Sequence, residues 1–145
     1  MRVKLLDPRA KVPTVEHPGS DLGYDLYALE RTVLRTGYVM KVRTGIAVEF
    51  DPLYGAIIKD RSSIAIQGIT VSAGVIDSGY RGEIVVLLTY HGAYDYPYDS
   101  AIIDAGDKIA QFIPQKVYAF QDKFPVVEEF EESDRGDKGF GSSGR

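Results

Sequence analysis

One short segment of the chain carries a carboxylate, a phenol and a guanidinium close together. Residues 74–82 read Gly-Val-Ile-Asp-Ser-Gly-Tyr-Arg-Gly, and the strand-like residues 83–88 follow directly. We predict a hairpin here, with its turn at Ser78 and Gly79. Its backbone N–H and C=O groups could pair with the edge of a flat heterocycle. Asp77 at the tip could orient and deprotonate a water, or it could only cap the turn, as Asp often does.

A second segment, residues 59–65, is suited to an oxyanion. It reads Lys-Asp-Arg-Ser-Ser-Ile-Ala, and a short helix is predicted over residues 62–67. Unpaired amides at a helix start attract anions, and Arg61 adds a bidentate clamp. The alternative is that Ser62 or Ser63 only caps the helix.

Two more segments are ambiguous alone. Residues 18–26 and 106–112 place polar side chains beside apolar ones, which is also typical of a turn entering a strand. His17 and His91 are far apart without metal-ligand spacing, so we predict that both lie at the surface. No Ser-His-Asp order and no Cys-His pair favours covalent acyl chemistry.

The C-terminus differs in composition from the rest of the chain. Acidic residues crowd positions 128–134, and residues 135–145 are rich in glycine. Such a segment cannot bury enough apolar surface to offset its ordering entropy, so we predict a mobile arm. Phe140 could stack on a flat ring while the cations among the glycines clasp phosphates. The alternative is an ordinary frayed terminus.

The elements that must position these side chains are predicted to be β-strands. Apolar and polar residues alternate over residues 40–43 and 46–50. Residues 84–88 are continuously apolar, as in a strand covered on both faces. Further strands are predicted over residues 3–5, 56–59, 109–113 and 126–130. Short strands with regular turns favour an all-β sandwich, jelly roll or barrel.

Length and composition limit the class of protein. The chain has 145 residues, enough for one domain, with 44% apolar and 26% charged residues. It contains no cysteine, which excludes disulfides and thiolate chemistry and fits a reducing compartment. Its apolar runs are too short to span a bilayer, so we predict a cytoplasmic protein without a signal peptide. The net charge of −4 argues against nucleic-acid binding.

Taken in order, the segments resemble the five motifs of the trimeric dUTPase family. Residues 18–26, 61–65, 74–82, 106–111 and 135–144 each match one motif, and together they span nearly the whole chain. Three positions depart from the usual patterns. Asp60 stands where Gly or Pro is usual, Gly79 where many members have Asp, and Val71 where bacterial members often have Asn.

The resemblance implies a β jelly-roll domain over residues 1–134, an arm over residues 135–145 that closes the site, and a homotrimer whose active sites are shared between chains. Asp77 would activate a water that attacks the α-phosphorus of dUTP and releases dUMP and pyrophosphate. Mg²⁺ would be held mainly by the substrate phosphates, with Asp25 acting through water. No nucleic-acid or membrane partner is implied. The residues implied to bind dUTP are Arg61, Ser62, Ser63, Gly74, Val75, Ile76, Tyr80, Gln111, Arg135, Phe140, Gly141, Ser142 and Ser143.

Two alternatives differ in activity. The dCTP deaminases share this fold but carry a catalytic Glu five residues past the glycine matched by Gly82, where this chain has Leu87. They also lack the glycine-rich arm. A dUTPase-like binding protein without turnover would be expected to have an eroded Asp77, Arg61 or arm, and none is eroded here.

Overall fold

The computed structural model describes residues 1–92, 100–118 and 124–133. Within these residues the chain is built from β-strands and one short helix. The elements, in chain order, are β1 (Arg2–Leu5), β2 (Tyr24–Tyr27), β3 (Thr32–Arg35), β4 (Val39–Glu49), β5 (Tyr54–Lys59), α1 (Ser62–Ala65), β6 (Ile69–Ala73), β7 (Val75–Ile76), β8 (Glu83–Tyr90), β9 (Ser100–Ile103) and β10 (Lys108–Lys116).

The strands form two four-stranded sheets and a two-stranded ribbon. One sheet has the order β1-β4-β8-β6, the other β2-β10-β5-β7, and the ribbon pairs β3 with β9. All of these pairs are antiparallel. Both larger sheets contribute to one apolar core, so they enclose it as the layers of a sandwich. Phe112 joins the aromatic part of this core, stacking on Tyr24 at 5.2 Å and meeting Phe50 edge-on at 6.0 Å.

The two alternating stretches before Asp51 form a single strand, β4, with an irregularity between Arg43 and Ala47. The prediction that residues 84–88 are covered on both faces is wrong for the single chain. Ile84, Val86 and Leu88 are buried, but the residues between them are only half-buried. The reason is that β8 lies in an antiparallel sheet with just one face on the core.

Residues 74–82 do not form the predicted hairpin with residues 83–88. β7 pairs with β5 in the second sheet, whereas β8 pairs with β4 and β6 in the first. The segment therefore carries the chain from one sheet to the other. At the start of this crossing Gly74 lies close to β5, where its C=O accepts the Ile58 N–H at 2.7 Å. A Cβ at Gly74 would lie 2.5 Å from the Ile58 oxygen, so a side chain would push the strands apart.

Two other local predictions need correction. The helix ends at Ala65 rather than at Gln67, and a turn leads to Gly68, whose φ is +76°. The strand predicted over residues 126–130 is wrong, since residues 124–133 form no strand. Their apolar side chains have no partner strand among the described residues, and Val126 is 100% exposed. No helix in the described ranges is long and apolar enough to cross a membrane.

Candidate functional site

A cleft of about 540 Å³, which we call the polar cleft, lies on the second sheet, β2-β10-β5-β7. It brings together the candidate segments of residues 18–26, 59–65 and 106–112. Asp25 on β2 faces Gln111 on β10 in the strand register, while Arg61 reaches in from the start of α1. Its lining residues are Glu16, Ser20, Asp21, Leu22, Gly23, Asp25, Arg61, Ser62, Ser63, Lys108, Gln111 and Ile113.

Asp25 is the electrostatic centre of the polar cleft. One carboxylate oxygen lies 2.8 Å from Nε of Arg61, and the other lies 2.8 Å from Nζ of Lys108. The Asp25 side chain is only 13% exposed, so these ion pairs are poorly screened by water. The hydrogen bond with Asp25 raises the pKa of Lys108, which therefore stays charged. Asp25 thus holds two cations at fixed positions.

The second candidate segment presents hydroxyl groups beside Arg61. Ser62 and Ser63 are exposed and line the polar cleft. Neither caps the helix, because the N-cap residue is Arg61 and it has no side-chain capping bond. The capping interpretation is therefore wrong. The two hydroxyls have no hydrogen-bond partner in the described part of the chain, so both are available to a ligand.

The candidate segment of residues 74–82 lies at a separate cleft of about 250 Å³, which we call the apolar cleft. Its walls include Ile58, Val85 and Leu87, and its rim carries Asp77 and Tyr80. Gly74, Val75 and Ile76 also line it. The position where a deaminase would need its Glu is thus an apolar wall.

The turn at the rim is closed by backbone atoms rather than by the Asp77 side chain. The Tyr80 N–H donates to the Asp77 C=O at 3.0 Å. The Asp77 carboxylate is exposed and has no hydrogen bond or ion pair with the described residues. The interpretation of Asp77 as only a turn cap is therefore not supported, and the carboxylate is free to act on a water.

Tyr80 is fixed at the rim by two contacts. Its hydroxyl donates to the Glu83 C=O at 3.0 Å. Its ring lies against Gly82, where a Cβ would come within 2.4 Å of the phenol oxygen. The ring is still 44% exposed, so a held aromatic surface faces solvent beside Asp77.

The predicted site residues therefore fall into two groups. Asp25, Arg61, Ser62, Ser63 and Gln111 meet in the polar cleft, and residues 74–77 meet Tyr80 at the apolar cleft. The two clefts have no lining residue in common. A third group lies outside the described residues: Arg135, Phe140, Gly141, Ser142 and Ser143. His17 and His91 are exposed, as predicted.

Two contributions to the polar cleft were not predicted from the sequence. The sequence predicts no role for Lys108, because its contact with Asp25 depends on the pairing of β10 with β2. Asp60 departs from the family pattern, and its C=O accepts a hydrogen bond from Gln111 Nε2 at 3.1 Å. The alternating residues from Lys108 onward indicate a strand. Only the register of β10 against β2 shows that Lys108 lies beside Asp25.

Comparison with known proteins decides the family. A family model described as dUTPase matches residues 9–144. The chain belongs to the dUTPase family. Among curated dUTPases, the deoxyuridine 5'-triphosphate nucleotidohydrolase of Clostridioides difficile is 36% identical, covering 99% of this chain and 97% of its own. That of vaccinia virus (strain Copenhagen) is 37% identical, covering 94% and 87%.

A solved dUTPase has the same fold. The Staphylococcus bacteriophage 80alpha dUTPase with dUpNHpp superposes with a TM-score of 0.87 at 29% identity, covering 99% of this chain and 98% of its own. The predicted jelly-roll-type β fold with one short helix is thereby confirmed. The chain described in this structure is therefore an enzyme, and its activity is the hydrolysis of dUTP. The deaminase alternative finds no support in these relatives or at Leu87.

The chemistry of the polar cleft shows how its residues would fit a magnesium ion. No group of three or more His, Asp or Glu side chains that could hold a metal ion occurs in the described ranges. Both oxygens of Asp25 face cations. The protein groups therefore do not fit a Mg²⁺ cage of their own, but they fit an ion whose ligands come mainly from phosphates and water.

Proposed function

We propose that the two clefts are halves of one dUTP site that is completed between the subunits of a homotrimer. The observation that carries this proposal is that the chain has a charged cleft and an apolar cleft with no lining residue in common. A triphosphate needs cations and hydrogen-bond donors, whereas a base needs apolar walls and backbone polar groups. Each cleft supplies one of these sets.

In this proposal Asp77 is the general base. Its carboxylate would take a proton from a water whose oxygen attacks the α-phosphorus. The bond from that phosphorus to the bridging oxygen of the β-phosphate would break, and pyrophosphate would leave with dUMP as the other product. An exposed carboxylate without a competing cation among the described residues supports this role, since it can accept the proton directly.

The apolar cleft would select deoxyuridine. β7 is the edge strand of its sheet, so the backbone groups of Val75 and Ile76 that do not pair with β5 remain open to the edge of uracil. The Tyr80 ring, held by Glu83 and Gly82, would pack under the deoxyribose. A ring held there would leave no room for a 2′-hydroxyl.

The polar cleft would bind the phosphate chain through Arg61, Ser62, Ser63 and Gln111, with Lys108 as a further cation. Its lining also contains the carboxylates of Glu16, Asp21 and Asp25, so three anions face two cations. A backbone hydrogen bond from His17 lowers the pKa of Asp21, which keeps that group ionised.

A bare triphosphate would be opposed by this charge balance, whereas a Mg²⁺-triphosphate complex would be accommodated. Mg²⁺ would neutralise charge on the phosphates during the reaction. Asp25 would serve it through water. A solved dUTPase from phage phi11 of S. aureus, 25% identical to this chain, is described with a structural Mg(II) ion.

The arm is the third part of the proposed site. Phe140 would stack over uracil, while Arg135, Gly141, Ser142 and Ser143 would close over the phosphates. Removal of dUTP keeps uracil out of DNA, and the dUMP formed supplies thymidylate synthesis. The cytoplasmic location predicted from the sequence stays part of the proposal.

Mixed trimers test the shared site. Asp77→Asn keeps the arm but lacks the base, and a chain ending at Asp134 keeps the base but lacks the arm. When equal amounts are unfolded and refolded together, about a quarter of the sites should combine both working parts if the parts come from different chains. Pyrophosphate release would be measured with dUTP, dCTP and UTP after sedimentation confirms trimers. Activity no greater than the mean of the two separate variants would exclude a donated arm.

The same assay tests the remaining alternative. A binding protein without turnover would retain dUTP but release no pyrophosphate from the unmodified chain. We expect release from dUTP and almost none from dCTP or UTP.

A further inference from the structure

We infer that Asp60 is a positioning residue that ties the polar cleft to the strand entering the apolar cleft. The inference rests on the proposed function, because it concerns how Arg61 is held for the phosphates. Asp60 is also one of the positions where this chain departs from the family pattern. Its side chain therefore makes contacts that the usual Gly or Pro could not make.

The contacts of Asp60 reach both sheets. Its carboxylate accepts a hydrogen bond from the Val71 N–H at 2.5 Å, and its C=O accepts one from Gln111 Nε2 at 3.1 Å. Val71 lies on β6, the edge strand of the first sheet, and Gln111 lies on β10 in the second. The two departures at Asp60 and Val71 are thus in direct contact.

These two partners lead to the two clefts of the chain. Gln111 lines the polar cleft. From Val71, β6 continues to its end at Ala73, and the chain then enters Gly74 at the apolar cleft. Asp60 therefore fixes the distance between the lengths of one chain that carry its polar cleft and its apolar cleft.

Arg61 is the functional residue that gains most from this link. Its guanidinium is held by Asp25. Its backbone follows Asp60, which is the first residue after the end of β5. Without the Asp60 carboxylate, residues 60 and 61 would have to be ordered when the phosphates bind. Ordering a loosened segment weakens binding more than it alters the bond-breaking step.

The test compares two changes at one position. Asp60→Ala removes the acceptor, whereas Asp60→Asn keeps an oxygen in the same place. Asp51→Ala is the matched control, because the Asp51 carboxylate also accepts one backbone N–H, that of Leu53 at 3.1 Å, in the turn before β5. The measurements are the Kd of dUpNHpp, whose imido bridge resists hydrolysis, and kcat and KM for dUTP.

We expect Asp60→Ala to raise Kd and KM about tenfold while kcat changes less than about threefold, because an unmet half-buried N–H and a loosened backbone oppose binding. The Kd and KM of Asp60→Asn should stay within about threefold of those of the unmodified protein. The Kd and KM of Asp51→Ala should equal those of the unmodified protein. A KM for Asp60→Ala within about twofold of the unmodified protein would overturn the inference. So would an Asp60→Asn variant that is as impaired as Asp60→Ala.

Hydrogen exchange of the Val71 amide gives a measurement that needs no variant to fold. On an edge strand this amide would exchange quickly unless Asp60 covers it, so slow exchange is expected and exchange at the rate of an open amide would overturn the link. This measurement also separates the two proposals. An unmodified protein that released no pyrophosphate from dUTP would refute the proposed function, whereas Val71 protection would still support the Asp60 link.

Discussion

The Asp25 carboxylate lies 2.8 Å from Nε of Arg61, so a residue implied to serve a metal ion also orients the arginine proposed to bind phosphate. Its second oxygen holds Lys108 at the same distance. Because each ion pair is nearly buried at the Asp25 end, removal of one partner would leave a poorly solvated charge. The polar cleft is therefore held in its shape before any ligand binds.

Replacing the proposed base should stop turnover while leaving binding. Asp77→Asn keeps the shape of the side chain but cannot take a proton, so kcat for dUTP should fall about a hundredfold or more. The Kd of dUpNHpp should change little. Asp51→Asn, at another exposed turn, is the control and should retain full activity. A near-normal kcat for Asp77→Asn would show that another group activates the water.

Tyr80 should control discrimination between dUTP and UTP. Tyr80→Ala removes the ring that would exclude a 2′-hydroxyl, so kcat/KM for UTP should rise relative to dUTP. Tyr80→Phe keeps the ring and loses only the hydrogen bond to the Glu83 C=O, so it should keep most of the selectivity. If the dUTP/UTP ratio stays the same in Tyr80→Ala, the ring has no role in sugar selection.

Lys108 should contribute to phosphate binding although the sequence assigned it no role. Lys108→Met removes one of the two cations at Asp25, so KM for dUTP should rise about tenfold. Lys41→Met, on the exposed side of β4, should leave KM unchanged. An unchanged KM in Lys108→Met would show that Lys108 supports the structure of the cleft but does not bind phosphate.

The Lys108 contact also has a defined pH dependence. Its pKa is raised above the ordinary value of 10.5, so the stabilisation is complete below that value and is lost as the pH rises through the folded-state pKa. The difference in Tm between Lys108→Met and the unmodified protein should therefore be equal at about pH 7 and about pH 9. A difference that fades between these values would contradict the pairing with Asp25.

Truncation tests the arm without disturbing the core. A chain that ends at Asp134 keeps every residue of the two clefts, so its Tm and trimer mass should match those of the full chain. Its kcat should fall sharply, because bulk water would no longer be excluded from the phosphates. Replacing Phe140 by Leu in the full chain should show a smaller loss. Full activity in the truncated chain would remove the arm from the mechanism.

Much of the apolar cleft could be read from the sequence because its parts are contiguous. Residues 74–82 hold the backbone, the carboxylate and the phenol within one segment, and their local geometry follows from glycines and a turn. Pairing could not be read in the same way. β7 pairs with β5 rather than β8, and this pairing brings Gly74 against Ile58, a residue from a different segment of the chain. No local pattern specifies such a contact.

The sequence alone determined the all-β class, the short helix after Arg61 and the family through its ordered motifs. Only the tertiary structure decided that Asp25 holds both Arg61 and Lys108, since strand register places side chains from distant segments within 2.8 Å. It also decided that residues 126–130 form no strand within the described chain, although their apolar pattern favours one. The physical reason is that a strand needs a partner for its backbone groups, and no local pattern specifies where that partner lies.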